Sequence, residues 1–137
     1  MTTPFHGTVL HAGEATGHVL RLSAPLSFWG GTDEQGYITD PHHPQCGERL
    51  TGRVVILTGG RGSSSSSSVL AEQIRAGCGP AALLLAERDA IITLGAIAAA
   101  ELYDVRVPVI LFEPDQFAAL PTSGTATVSE DGTVSTV

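Results

Sequence analysis

Lysine is absent. All seven basic residues of the 137-residue chain are arginines, set against fourteen acidic ones for a net charge of −7. A negative chain with scattered arginines has no basic stripe to neutralise a phosphate backbone, so nucleic acid is not expected as a partner. The same absence removes a Walker-type phosphate loop, in which a lysine must follow the glycines. Cysteine is scarce: Cys46 and Cys78 stand in a chain without an export signal and do not suggest a disulfide framework. Two thiols are also too few for an iron–sulfur cluster, which usually takes three or four. No apolar run approaches the roughly eighteen residues of a membrane span, and no basic segment followed by an apolar stretch opens the sequence. The expectation is a cytoplasmic protein that engages neither membrane nor nucleic acid. Its composition, 42% hydrophobic and 15% charged, is globular, and its length suits one domain over residues 1–137, enough to bury roughly two thirds of its unfolded surface.

Periodicity divides the chain into three parts. Residues 6–22 alternate around Gly13 and Gly17 and read as a hairpin. Residues 24–50 carry seven glycines and prolines and little period; a long irregular segment inside a small domain is usually functional or mobile. The centre then follows a strand–helix rhythm. Residues 53–58 and 81–85 are continuous apolar runs of the kind buried on both faces of a sheet. Residues 69–76 and 90–103 have helical spacing, residues 107–112 form a third strand, and 114–120 form a short helix with Pro114 in its first turn. A second hairpin, 125–128 with 133–137, turns at Asp131-Gly132. The class is α/β: a mixed, barrel-like sheet with parallel central strands, crossover helices and flanking hairpins.

Gly59-Gly60-Arg61-Gly62 and the six serines Ser63 to Ser68 lie between a buried strand and a helix. Backbone N–H groups at such a junction lack intrahelical partners, and the helix dipole adds positive potential. Glycines let the backbone approach a ligand, so an anion site is expected here. A serine hydroxyl held by those donors and by Arg61 also has the makings of a reactive group. The plainer alternative is a solvated serine linker whose last residues cap the helix.

Pro25-Leu26-Ser27-Phe28-Trp29-Gly30-Gly31-Thr32-Asp33, Gly36-Tyr37-Ile38-Thr39-Asp40, His43-Pro44 and Gly60-Arg61-Gly62-Ser63-Ser64 resemble, in order, the swivel domain of aconitase X. The resemblance runs from His6 to about Phe112. It implies the swivelling β/β/α fold and, for a chain of this size, a separate small subunit that works with a large aconitase X-type subunit. The iron or iron–sulfur centre is then held by the large subunit, with no cofactor or metal bound by this chain alone. Two activities are implied: hydro-lyase chemistry on cis-3-hydroxy-L-proline, giving Δ1-pyrroline-2-carboxylate, or on (R)-5-phosphomevalonate. Absence of lysine suits a GC-rich bacterium and favours the first.

In aconitase-like enzymes the first serine of a Gly-x-Gly-Ser-Ser-Arg loop removes the substrate proton. On this sequence it is Ser63, with Ser64 binding substrate. The family arginine is replaced by Ser65, which suits a substrate with fewer carboxylates, and Arg61, inside the same loop, is the residue available to compensate. Gly62 and Ser65 complete the substrate-binding set of the loop; Ser27 and Asp33, in the irregular segment, are expected to line the same cleft or the subunit interface, although Asp33 ahead of Gly36 also suits a simple turn. Trp29 reads equally as a packing anchor. His42, His43 and Cys46 are too loosely spaced, among prolines, for a zinc site. A reading from another class is a non-catalytic module holding a small anion. A phosphate-carrying swivel domain would need a loop histidine, and this loop has none.

Overall fold

The structure, a computed structural model, describes residues 4–136. The apolar runs form the centre of its sheet. Strands β1 (Phe5–His6), β2 (Thr8–His11) and β3 (Ala15–Arg21) are followed by a broken single helical turn, α1 (Phe28–Gly31). The crossover region is β4 (Val54–Leu57), α2 (Ser65–Arg75), β5 (Ala82–Leu85), α3 (Ala90–Tyr103) and β6 (Val109–Leu111). The chain continues through α4 (Pro114–Ala119), β7 (Thr125–Val128) and β8 (Thr133–Thr136). Val137, at the end of the expected last strand, lies outside the described residues.

β3, β4, β5 and β6 pair in parallel. The full order is β1-β8-β7-β3-β4-β5-β6-β2, and the outer pairings are antiparallel. Only Gly7 separates β1 at one end of that order from β2 at the other, so the sheet nearly closes into a barrel. The seam needs a glycine. A Cβ on Gly7 would lie 2.8 Å from the Leu111 carbonyl oxygen and still closer to the Ile110 side chain.

That closure replaces the expected opening hairpin. β2 pairs with β6 and β3 pairs with β7 and β4, so neighbours in sequence become separate parts of the sheet. Alternation within residues 6–22 reports strand character and says nothing about which strand is the partner. The closing hairpin of β7 and β8 forms as expected.

β4 illustrates how the core divides. Val55 and Leu57 face the helix layer with Leu70, Ile74, Ile92 and Ala96, whereas Val54 and Ile56 face the barrel interior with Ile110 and Val134. Both faces are therefore dry, which explains the unbroken apolar run. α2 and α3 lie against each other outside the sheet. The irregular segment 24–50 drapes beside them, anchored by the buried Leu26, Phe28 and Ile38. Burial of Phe28 alone contributes about 1.5–3 kcal/mol.

Candidate active site at the serine loop

α2 begins at Ser65, four residues before the expected helix start, so the serines are not a linker. Serine hydroxyls usually compete with helical backbone bonds. Here two of them have distant partners instead. Ser66 Oγ accepts the Trp29 N–H at 3.1 Å, and the Ser67 hydroxyl donates to the Ile91 carbonyl at 2.6 Å. Both serines are buried. The first turn of α2 is thus clamped between the Phe28–Gly31 turn on one side and the start of α3 on the other.

The preceding glycines are held as firmly. The Gly60 N–H donates to Asp89 Oδ2 at 2.7 Å, while Asp89 Oδ1 accepts the Ile92 N–H at 2.9 Å and caps α3. The Arg61 N–H donates to the Leu26 carbonyl at 3.2 Å, and Leu26 bridges to Gly60 as a parallel strand would. Gly62 has φ +103°, and a Cβ there would lie 2.7 Å from Ser27 Oγ. Positive φ and close approach both demand glycine at this position.

Ser63 therefore projects from a rigid corner. Its Oγ accepts the Ser65 N–H at 3.3 Å, its carbonyl accepts the Ser66 N–H at 3.0 Å, and its side chain is exposed. Ser64 and Ser65 are exposed beside it. The Arg61 guanidinium is exposed and has no partner among the described residues. Arg61, Gly62, Ser66, Asp89 and Ile91 line a cleft of about 90 Å³. That volume corresponds to roughly three waters, too little to enclose a hydroxy acid.

The structure brings Ser27, Arg61, Gly62, Ser63, Ser64 and Ser65 to one corner. The Ser27 hydroxyl sits against Gly62 and donates to the Trp29 carbonyl at 2.5 Å. Asp33 is placed elsewhere. Its Oδ1 accepts the N–H groups of Gln35 at 2.9 Å and Tyr37 at 3.0 Å, closing its own turn. It borders a separate groove of about 750 Å³ along α2, with Glu72, Gln73 and Arg75. His43 is buried, with Nε2 against the Ala24 carbonyl and Nδ1 accepting the Gln45 N–H, while His42 and Cys46 are exposed. Cys78 is half-buried. Among the described residues no three His, Cys, Asp or Glu side chains converge to hold a metal ion.

A family model described as the aconitase X swivel domain matches residues 4–136. The chain belongs to that family. This swivel domain is 46% identical over 115 residues to a cis-3-hydroxy-L-proline dehydratase of Pseudomonas aeruginosa, covering 82% of the chain and 20% of that relative. It is also 46% identical over 80 residues to a phosphomevalonate dehydratase small subunit of Methanopyrus kandleri, covering 58% of the chain and 59% of that relative. The chain thus spans about a fifth of the first relative's length. Its fold superposes on the crystal structure of Thermococcus kodakaraensis aconitase X (holo-form) with a TM-score of 0.86 at 27% identity, covering 99% of each chain.

Two contributors to the swivel-domain loop escaped the sequence reading. Asp89 stands immediately before an apolar helical run, an N-cap signal that gives no hint of its bond to Gly60. Gln73 donates to Thr32 Oγ1 at 2.7 Å and to the Asp33 carbonyl at 3.1 Å, joining α2 to the Phe-Trp-Gly-Gly segment. Nothing in the local pattern marks it.

Proposed function

We propose that this swivel domain is the serine-bearing small subunit of an aconitase X-type hydro-lyase that dehydrates cis-3-hydroxy-L-proline. The observation that carries the reading is the held position of Ser63: an exposed hydroxyl at the N-terminus of α2, already accepting a backbone N–H, on a loop fastened at Gly60 and Arg61. A serine hydroxyl is a weak base. Its alkoxide becomes accessible when fixed N–H donors and the positive end of a helix stabilise the charge and water is excluded.

In this reading Ser63 Oγ takes the proton from the carbon bearing the substrate carboxylate. The electron pair of that C–H bond is first shared with the carboxylate, and then forms the carbon–carbon double bond as the adjacent C–O bond breaks. The hydroxide released takes a proton from solvent and leaves as water, and Ser63 returns its own proton to solvent. The enamine product then tautomerises to Δ1-pyrroline-2-carboxylate. Arg61 offers its free guanidinium fork to the carboxylate, with Ser64, Ser65 and the Gly62 backbone at the same corner. Ser27 supports Gly62 from below. An iron or iron–sulfur centre on a large aconitase X-type chain supplies the Lewis acid for the departing hydroxyl. The exposure of Ser63, Ser64 and Ser65 supports a shared site, since a second surface is needed to enclose substrate.

The longer match to the hydroxyproline dehydratase favours that substrate. (R)-5-phosphomevalonate is the second reading, favoured by relatives that are themselves small subunits. The test combines this chain with the large chain from the same source and offers each substrate in turn. Water loss from cis-3-hydroxy-L-proline, with neither chain active alone, is expected. Turnover of phosphomevalonate only would transfer the assignment. Tight calorimetric binding of a carboxylate by this chain alone, without turnover in the mixture, would make it an anion-binding module.

A further inference from the structure

α3 is apolar where it meets solvent. Ala90, Leu94, Ile97, Glu101 and Leu102 are exposed and Ala98 is half-exposed; at intervals of three and four residues they form one stripe. Leu94 is 57% exposed, Ile97 38% and Leu102 70%. Glu101 is the single charge on it. The stripe runs about 18 Å along the helix. The opposite side, with Ile92, Ala96 and Ala99, is already packed on the sheet. A helix that is apolar all round belongs in an interior, and a contiguous exposed stripe marks an interaction surface.

Position identifies the occupant. The stripe begins at the serine loop: Asp89, one residue before Ala90, holds Gly60, and the Ile91 carbonyl holds Ser67. On the other flank of the loop Trp29 is 59% exposed, with its N–H bonded to Ser66. Apolar groups therefore border the catalytic corner on both sides. In the Pseudomonas aeruginosa relative this region is 20% of the chain, so a far larger body of protein accompanies the domain there. A lipid surface would favour lysine or arginine beside the stripe, and α3 contains neither.

We propose that the outward face of α3 is the docking surface for the large aconitase X-type chain, with Trp29 a second anchor across the serine loop. This rests on the hydro-lyase reading. Docking there buries Leu94 and Ile97 and brings the large chain over the neighbouring serine loop. Aromatic and aliphatic anchors surrounded by polar rim residues carry most of the energy of such interfaces.

The experiment measures association of the full chain with the purified large chain by calorimetry, alongside dehydratase turnover. Leu94→Glu/Ile97→Glu is expected to weaken association at least a hundredfold with a loss of only a few degrees in melting temperature, since Leu94 is mostly exposed and Ile97 more than a third exposed. Leu94→Ser/Ile97→Ser should weaken it less, and Ser135→Glu on the exposed side of β8 not at all. Unchanged association and turnover in the double Glu variant would overturn the docking surface and leave the hydro-lyase reading intact. A wild-type pair that associates through α3 without turnover on either substrate would sustain the surface and defeat the hydro-lyase reading. Self-association of the isolated chain that the Glu variant abolishes, with binding to the large chain unaffected, would assign the stripe to a second copy and overturn the proposal.

Discussion

α2 and α3 lie side by side over the same parallel strands, yet they meet solvent differently. α2 presents Ser65, Ser68, Glu72 and Arg75, with a Glu72–Arg75 ion pair, as an ordinary surface helix does. α3 presents Ala90, Leu94, Ile97 and Leu102. Both bury an equivalent apolar side on β4 and β5, so packing against the sheet cannot account for the contrast. The difference separates two tasks. On the proposed reading, α2 holds a reactive loop at its N-terminus, whereas α3 offers surface to a partner outside the domain. The serine loop, tied to both helices, lies where the tasks meet.

The largest effect should come from the α2 side. Ser63→Ala is expected to reduce turnover of the reconstituted pair by about a thousandfold or more, with association unchanged. Retained turnover would remove the functional half of the comparison. Next is the tie between the helices. Asp89→Asn keeps one acceptor, so α3 stays capped, but it cannot also accept the Gly60 N–H. A displaced loop of this kind should cost about ten- to a hundredfold in kcat with little change in melting temperature. A variant that melted lower and turned over normally would make Asp89 a helix cap and nothing more.

Ser66→Ala probes the clamp from the other side. It leaves the Trp29 N–H without its partner, at a cost of about 1–2 kcal/mol, read as a melting temperature lower by a few degrees. The smallest effect concerns the far end of α3. Burial first, and then the Arg106 guanidinium, hold the His11 imidazole below its ordinary value of 6.5, with Glu101 of α3 opposing. The neutral ring is thus favoured in the native state, and the unfolded chain binds the proton more readily. Stability from this group is complete above about pH 6.5 and declines as the pH falls below it. His11→Asn should make the melting temperature less sensitive to acid between pH 7 and pH 5.5. An unaltered acid response would mean that His11 contributes no proton linkage.

Much of the fold is legible in the sequence. The continuous apolar runs announced β4 and β5, and α3 has the bounds that its spacing indicates, because burial on two faces and helical period are local signals. α2 starts earlier than its pattern suggests because Ser66 and Ser67 become helical through Trp29 and Ile91, partners 37 and 24 residues away. The opening hairpin failed for the same reason: β2 and β3 alternate as strands should, but their partners lie near residues 110 and 126. At the site, the glycine, arginine and serine residues singled out by the pattern lie together at one corner. Asp33 was assigned to that corner as well, and the structure spends its carboxylate on a turn. The role of Asp89 depends on a contact across 29 residues and left no local trace.

The central claim is that Ser63 removes a carbon-bound proton, and isotope exchange tests it without depending on the later loss of water. The reconstituted pair in heavy water should incorporate deuterium at the carboxylate-bearing carbon of cis-3-hydroxy-L-proline, and a Ser63→Ala pair that still binds substrate should incorporate none. Exchange at the wild-type rate in that variant would place the base on another residue and contradict the account.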